Sequence, residues 1–288
     1  MPELIAQTLN GLTLAGIMFL VASGFTLVFG VMRVTNLAHG ATYLLGGYVA
    51  YSVIGATHNF LYGLAAGAVS MAGFGIVLER GLLVRIQGNV MAELLATLGV
   101  IYIIDDVSLA VWGGNPLSIS LPGALSGSVV IPLDHVTYPN GRLFILGVAV
   151  VIAILLFFLL RRTRVGAIIR AGVDDREMVS ALGINVRRVF TAVFVLGALL
   201  AGFAGVLGGT ILSLYPGGDS DILTFALVVV IVGGLGSYEG AILGSLIVGL
   251  IDNYGQAYFP ALAYFALFAP LVIILLARPQ GLLGRAET

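Results

Sequence analysis

The sequence contains no cysteine, and all thirteen of its basic residues are arginine. Without cysteine the chain forms no disulfide bond, no thiolate metal site and no cysteine nucleophile. Without lysine it has no Schiff-base chemistry and lacks the phosphate-binding lysine of a Walker A loop. A process driven by ATP would therefore need another polypeptide to bind the nucleotide.

Charge of either sign is also scarce. Charged residues make up 9% of the 288 residues, whereas hydrophobic residues make up 59% and the mean hydropathy is +1.10. A soluble domain of this size would need a far more polar surface. The apolar runs lack the period-two alternation of membrane β-strands. The sequence therefore predicts an all-α, polytopic transmembrane bundle in which residues 1–288 form a single domain.

Length allows about eight or nine helices if each span takes roughly 20 residues. The apolar segments are 8–32, 40–57, 60–78, 92–112, 143–160, 190–213, 222–236, 240–258 and 262–277. We predict eight or nine spans, because 222–236 is short and could form one re-entrant or tilted unit with 240–258. The start of the chain lacks the basic region of a cleavable signal, so the first helix is expected to remain as an anchor.

Seven of the thirteen arginines lie between residues 161 and 188. The positive-inside rule places this loop, about 161–189, in the cytoplasm and the long loop of about 113–142 outside. With nine spans the N-terminus lies outside, and with eight the parity changes near one uncertain segment.

The cytoplasmic loop contains "RAGVDDREMVSALGINVRR", residues 170–188. Asp174 is predicted to cap a helix of about 174–182, with Glu177 reaching back to the Asp174 amide and Gly183 ending the helix. Met178, Val179 and Leu182 would form one small apolar face. Two interpretations compete: a connector lying on the membrane surface, and a rigid helix that docks into a cytoplasmic partner. We favour the second.

Two acidic residues, Asp105 and Asp106, are predicted about 10 Å inside the outer end of their helix, from the 1.5 Å rise per residue. A carboxylate at that depth is costly unless it faces water or a partner. Three roles remain open: lining an aqueous vestibule, pairing with another subunit, or meeting a substrate ammonium. Apart from Asp252, the predicted spans are otherwise nearly uncharged.

Glycines cluster in the later apolar segments, and the spacing of four between Gly236, Gly240 and Gly244 predicts that they share one helix face. They indicate either ordinary close packing of helices or a helix break that lines a translocation path. Asp219 and Asp221 are expected to cap the following helix at the outer face.

Four stretches of the sequence resemble the branched-chain amino acid permeases of ABC importers, in the family's order and over most of the chain. They are "GLTLAGIMFLVASGFTLVFGVMRVTNLAHGATYLLGGYVA", "IIRAGVDDREMVSALGINVRRVFTAVFVLGALLAGFAGVLGG", "VVIVGGLGSYEGAILGSLIVGLI" and "ARPQGLLGR". The chain is most similar to the shorter of the family's two permease subunits. The acidic pair at Asp105 and Asp106 departs from the uncharged polar residues usual in the family.

The resemblance implies half of a translocation path in the bacterial inner membrane, surrounded by lipid. It implies four partners: a second permease, two cytoplasmic ABC ATPases and a periplasmic binding protein. No enzyme activity, cofactor, metal or nucleic acid is expected. The residues expected to couple to the ATPases are Arg170, Ala171, Asp174, Asp175, Glu177, Ala181, Leu182, Gly183 and Ile184. The substrate-path candidates are Asn36, His39, Gly40, Asp105, Asp106, Gly233, Gly234 and Gly236.

Branched-chain amino acids are the family's default substrate, and relatives that carry urea, short amides or aromatic acids are the alternative. A stand-alone secondary transporter or channel is a rival of another class, disfavoured because ion-coupled carriers hold ionisable residues near mid-membrane. An intramembrane enzyme is disfavoured because "DDREM" is a single acidic cluster and diphosphate chemistry needs two.

Overall fold

A computed structural model of the chain describes residues 2–32, 34–131, 136–174 and 176–284. The helices in these ranges are α1 Pro2–Met32, α2 His39–Thr57, α3 Phe60–Leu78, α4 Val84–Ile86, α5 Val90–Trp112, α6 Asn140–Arg162, α7 Arg164–Asp174, α8 Arg176–Ala181, α9 Val186–Gly208, α10 Gly218–Gly233, α11 Tyr238–Tyr258 and α12 Ala263–Ala277. A π-helical turn, Glu79–Leu83, makes α3 and α4 continuous. Each predicted apolar segment overlaps one helix, so the all-α prediction is confirmed.

Five helices of the described chain are long and apolar enough to cross a membrane: Glu3–Met32, Phe60–Ile86, Val90–Trp112, Asn140–Arg162 and Val186–Gly208. A sixth span is possible if α10 and α11, which are bent by 118° at their junction, count as one. The predicted eight or nine spans are not confirmed by length and composition. The reason is local, since glycine and tyrosine dilute the hydropathy of α2 and α12 has only 15 residues.

The centre of the bundle is formed by α1 and α9, whose most apolar windows are 78% and 67% buried. The corresponding windows of α5 and α6 are only 22% buried. Large apolar side chains such as Ile103, Leu155 and Phe158 are exposed on these two helices. Contiguous apolar surface of this kind is stable only against lipid or a partner.

Glycine lets the central helices approach at backbone distance. A Cβ atom built on Gly46 of α2 would lie 2.5 Å from the Cα of Gly202 in α9. A Cβ atom on Gly24 of α1 would lie 2.7 Å from the carbonyl oxygen of Gly197. Such small-residue contacts replace the hydrophobic driving force that lipid removes between helices.

Three contacts bring helix ends together at one end of the bundle. We call it the arginine-rich end, because the end of α6, α7 and α8 meet there and belong to the arginine-rich stretch 161–188. Arg161, near the end of α6, forms an ion pair with Glu239 at the start of α11. Leu282 and Leu283 donate backbone hydrogen bonds of 2.9 Å to the carbonyls of Val232 and Gly233. The C-terminal segment therefore satisfies carbonyl groups that the end of α10 would leave free.

The opposite end holds the connection from α5 to α6. Strands Ser128–Ile131 (β1) and Val136–Pro139 (β2) pair antiparallel in that connection, and Tyr138 of β2 lies 3.1 Å from the Thr13 hydroxyl of α1. Leu117 and Leu214 exchange backbone hydrogen bonds of 2.8 and 2.7 Å, which joins the α5–α6 and α9–α10 connections. The start of the chain and these two loops therefore lie at the same end.

Candidate functional site

The predicted coupling segment, residues 161–189, forms α7, α8 and the turn before α9. On α7 the residues Gly166, Ile169 and Gly172 are buried, and this spacing of three places them on one face of the helix. Ala171 is exposed and Arg170 is half-buried. A buried face on so short a helix anchors the segment to the bundle.

The predicted helix of 174–182 is partly wrong. Asp174 is the last residue of α7 rather than the cap of a new helix, and α8 runs from Arg176 to Ala181. Ile169 of α7 belongs to the hydrophobic core, and this packing favours helix through a stretch that local capping signals alone mark as a loop. Asp175 and the cap contacts expected between Asp174 and Glu177 lie outside the described residues.

The predicted helix end at Gly183 is confirmed. Gly183 has a φ of +78°, and its N–H donates to the Ser180 carbonyl over 3.0 Å. The N–H of Ile184 donates to the Val179 carbonyl over 3.3 Å. This pair of bonds is the Schellman arrangement, which needs a residue in the left-handed region and therefore favours glycine.

The three apolar residues predicted to share one face, Met178, Val179 and Leu182, do not all face the same way. Val179 is 3% exposed and packs into the bundle, whereas Met178 and Leu182 are 57% and 71% exposed. Met178 and Leu182 are four residues apart and therefore neighbours on one side of the chain. We call these two residues the exposed pair. Val179 therefore anchors α8 to the bundle, and the exposed pair faces outward.

Next to this segment lies the break between α10 and α11. Gly234 and Gly236 have positive φ values of +106° and +76°, and Ser237 caps α11 by accepting the Gly240 amide over 3.0 Å. The charge of Arg170, like that of Arg161, acts on Glu239 in the first turn of α11. The coupling segment is thus electrostatically connected to the helix break.

The glycines of this break were substrate-path candidates. Gly233 packs against Gly240, and Gly236 against Gly30 of α1. A Cβ atom on Gly234 would collide with the backbone of Gly284. Their surroundings are protein backbone, as the close-packing interpretation expects. They line neither of the two cavities near the opposite end of the bundle.

The turn Asn36–Gly40 is placed deep in the bundle. His39 Nε2 donates to the Val21 carbonyl over 3.0 Å, and its ring meets Phe25 edge-on. Val21 lies about three turns before the end of α1, so α2 begins beside the interior of that helix rather than at its end. Asn36 is also buried, and its Oδ1 accepts no hydrogen bond from any described residue.

The two neighbouring acids on α5 face different surroundings. Asp105 is half-buried, and its Oδ1 accepts the Gly217 amide over 3.3 Å. Asp106 is exposed, on a helix surface that also exposes Tyr102, Ile103 and Val107. Asp105 therefore holds the loop before α10, while Asp106 points to the outside of this chain.

Two cavities lie near the end opposite the arginine-rich end. The large cavity, about 710 Å³, is bounded by α2, the loop before α10, and α10, α11 and α12. The small cavity, about 200 Å³, is bounded by α1, the start of α6, the loop before α10, and α10 and α11. Both are lined by Leu212, Phe225, Asp252 and Gln256, so these four residues form the wall between them.

None of the predicted path candidates lines these cavities; their polar lining comes instead from residues such as Tyr215, Asp221, Asp252 and Gln256. Tyr215 donates to Asp221 over 2.7 Å, and Gln256 donates to Asp252 over 2.7 Å. Asp252 carried a signal in the sequence, because it is one of the few charges inside the apolar segments. Tyr215 and Gln256 carried none, since polar residues near helix ends are common.

Comparison with known families and proteins gives a consistent result. The family described as "Branched-chain amino acid transport system / permease component" matches residues 7–277. The high-affinity branched-chain amino acid transport system permease protein LivH of Escherichia coli K12 is 31% identical, over 98% of this chain and 96% of LivH. The corresponding protein BraD of Pseudomonas aeruginosa is also 31% identical, over 100% of this chain and 99% of BraD.

The ribose import permease protein RbsC of Escherichia coli K12 is 28% identical over 90% of this chain and 80% of RbsC. No solved structure matches the chain significantly.

Proposed function

Because the chain belongs to the family of branched-chain amino acid transport permease components, we propose that it forms half of the translocation path of an ATP-driven ABC importer. It is a multi-pass protein of the inner membrane. A second permease completes the path, two cytoplasmic ABC ATPases supply the energy, and a periplasmic binding protein delivers the substrate.

The observation that carries this proposal is the coupling segment. Its exposed pair, Met178 and Leu182, offers apolar surface at the arginine-rich end, while Val179 anchors the same short helix. A helix of six residues is too short to persist in water without packing, so the Val179 anchor explains why it holds its shape. A rigid, anchored helix with an apolar outer side is suited to enter a groove of an ATPase.

Motion of that groove would be passed on through the Arg161–Glu239 ion pair to the first turn of α11. The break between α10 and α11 is the place where the bundle can bend, because two glycines with positive φ separate the helices. Bending there changes the positions of α10 and α11, which line both cavities. The cavities are the share of the path that this chain contributes, and the chain does no covalent chemistry.

Nine crossings fit this arrangement, with α10 and α11 crossing separately, α12 included, and α2 completing a crossing together with the residues just before it. The N-terminus and the α5–α6 loop then lie outside, and the arginine-rich end lies in the cytoplasm. The Thr13–Tyr138 contact supports a common side for the N-terminus and the α5–α6 loop. The hydrogen bond from Leu282 to Val232 supports the cytoplasmic position of the C-terminal segment.

Branched-chain amino acids are the proposed substrates, because two relatives over nearly the full chain are named for them. Two acids, Asp221 and Asp252, line the large cavity, which suits a solute that carries an ammonium group. Urea, short amides or aromatic acids are the alternative, and ligand screening of a binding protein that docks on this permease decides between them.

The coupling proposal is tested with two variants. Arg170→Glu reverses a charge that acts on Glu239, and Gly183→Pro removes the N–H bonded to Ser180 at a φ that proline cannot adopt. We expect both proteins to insert in the membrane but to lose co-purification of the ATPases. Arg85→Glu, at an exposed arginine outside the segment, is the control and should retain them. Normal co-purification with both test variants would overturn the docking role.

A further inference from the structure

The small cavity brings together two opposite charges that are far apart in the sequence. Arg142 lies in the first turn of α6, and Asp252 lies in α11, six residues before that helix ends. Both line the cavity, together with the polar side chains of Asn10, Thr13 and Asn253. The wall therefore carries a cation and an anion within a space of about 200 Å³.

These two side chains do not form a direct ion pair. In the described part of the chain, the one ion pair closer than 4.0 Å joins Arg161 and Glu239. Arg142 and Asp252 are therefore separated by more than that distance although they face one cavity. A carboxylate inside a membrane protein is costly unless it meets water or a counter-charge, so this separation calls for an occupant.

Arg142 occupies a position that the helix itself disfavours. The N-terminal turn of a helix carries partial positive charge and favours anions rather than cations. Arg142 is kept there by donating a hydrogen bond to Asn10 Oδ1 of α1. The guanidinium has five N–H donors, so one bond to Asn10 leaves others for a carboxylate in the cavity.

Asp252 is 3% exposed and is oriented by the next turn of its own helix. Gln256 Nε2 donates to Asp252 Oδ2 over 2.7 Å. A carboxylate has about four acceptor positions, so the bond from Gln256 leaves capacity for an ammonium group. Asp252 also lines the large cavity, so a ligand held by Asp252 lies beside that second space.

Apolar side chains form the rest of the small cavity. Ile17 and Met18 of α1 line one part, and Leu212 and Phe225 line another. Methionine adapts to ligands of different shape because its side chain is flexible and polarizable. The cavity thus combines a carboxylate-binding group, an ammonium-binding group and an apolar surface.

We propose that the small cavity binds one apolar α-amino acid as a zwitterion, with Arg142 holding the carboxylate and Asp252 the ammonium group. The inference rests on the proposed transport function and deepens it. It assigns recognition of the substrate to the permease itself, in addition to any binding protein. Because both charges are required, amines and carboxylic acids of the same shape bind more weakly than the amino acid.

The test uses the full chain in lipid nanodiscs, without ATPases, and measures equilibrium binding of radiolabelled L-leucine. We expect wild-type protein to bind it, and Arg142→Gln and Asp252→Asn each to weaken binding by about tenfold or more, the usual effect of losing a charge-assisted hydrogen bond. 4-Methylpentanoate carries only the carboxylate, so its competition with leucine should be lost in Arg142→Gln and kept in Asp252→Asn. 3-Methylbutylamine carries only the ammonium group, so its competition should be lost in Asp252→Asn and kept in Arg142→Gln.

Arg85→Gln and Glu3→Gln are matched controls, since they make the same charge changes at exposed residues outside both cavities. They should bind L-leucine like the wild type. Asp252→Glu keeps the charge, and recovery of part of the binding by this variant separates lost recognition from misfolding of the Asn variant.

Three results would each overturn the site: no L-leucine binding to the wild type, wild-type affinity in both Arg142→Gln and Asp252→Asn, or an affinity for 3-methylbutylamine equal to that for L-leucine. The ATPase co-purification experiment is independent of this one. If the protein binds the ATPases but not leucine, the proposed site is wrong and the importer function stands. If the protein binds leucine but not the ATPases, the importer function is wrong.

Discussion

The Nε of Arg161 donates a hydrogen bond of 3.0 Å to Oε1 of Glu239, so the last turn of α6 is joined to the first turn of α11. These residues are 78 positions apart in the sequence. The contact connects the proposed coupling segment to the helix pair that lines the cavities.

Breaking this ion pair should affect coupling more than stability. The two side chains are 55% and 40% exposed, and exposed ion pairs contribute less than about 1 kcal/mol. We expect Glu239→Gln to lower the unfolding free energy by no more than that, while substrate uptake per ATP hydrolysed falls severalfold. Uptake and hydrolysis are measured together in proteoliposomes of the assembled importer. The exchanged pair Arg161→Glu/Glu239→Arg should recover part of the coupling, and full coupling in Glu239→Gln would contradict the role.

Val179 in α8 and Leu182 directly after that helix should respond differently to truncation. Val179 is buried, so Val179→Ala should lower the unfolding free energy by about 1–3 kcal/mol. Leu182 is 71% exposed, so Leu182→Ala should change the unfolding free energy by less than about 0.5 kcal/mol and weaken ATPase binding. Thermal unfolding and a pull-down of the ATPases separate the two effects. A large loss of stability in Leu182→Ala would show that its side chain packs on the bundle.

Two glycines of α2 form a matched pair. A Cβ atom on Gly46 would lie 2.5 Å from the Gly202 Cα, whereas one on Gly55 would meet no atom within 4 Å. Gly46→Ala should destabilise the protein by about 1–3 kcal/mol or more, because backbone must move. Gly55→Ala should stabilise it by about 0.5–1 kcal/mol, since alanine favours helices. Thermal unfolding in detergent compares them, and equal melting temperatures would refute the close approach of α2 and α9.

Asp105 should act as an acceptor for the loop before α10 rather than as a charge. Its Oδ1 receives the Gly217 amide over 3.3 Å. Asp105→Asn keeps a carbonyl oxygen at this place, so backbone amide exchange in 209–217 should stay near the wild-type rate. Asp105→Ala removes the acceptor, and exchange there should accelerate about fivefold or more, in line with a hydrogen bond of about 1 kcal/mol. Hydrogen–deuterium exchange measures both, and equal rates in the two variants would exclude this contact.

The hydrogen bond from Arg161 to Glu239 is a feature that the sequence did not predict. The arginine cluster and the apolar segments were visible in the sequence, because charge and hydropathy are local properties of a chain in a membrane. The partner of Arg161 was not visible, since ion pairs across 78 positions depend on how helices pack. The same holds for α7, which packing extends through Asp174, where local capping signals predicted a helix start.

The substrate-path candidates also show the difference between what the sequence predicts and what packing decides. The sequence singled out Asp105, Asp106 and the glycines near Gly234 from their type and predicted depth. The structure places Asp105 against a loop, Asp106 on the outside and Gly234 against backbone. A residue's depth follows from its position in a helix, but the direction in which it faces depends on all of its neighbours.

The sequence alone determined that this chain is a helical membrane protein, where its apolar helices lie, and which family it resembles. Hydropathy, arginine distribution and short motifs are properties of the linear sequence. In a membrane they decide which segments form spanning helices and which loops stay in the cytoplasm. Only the tertiary structure decided that Arg142 and Asp252 face one cavity and that Val179, not Leu182, is the anchor of α8. Those facts follow from packing between segments that are distant in the chain, where glycine contacts set how closely the helices approach.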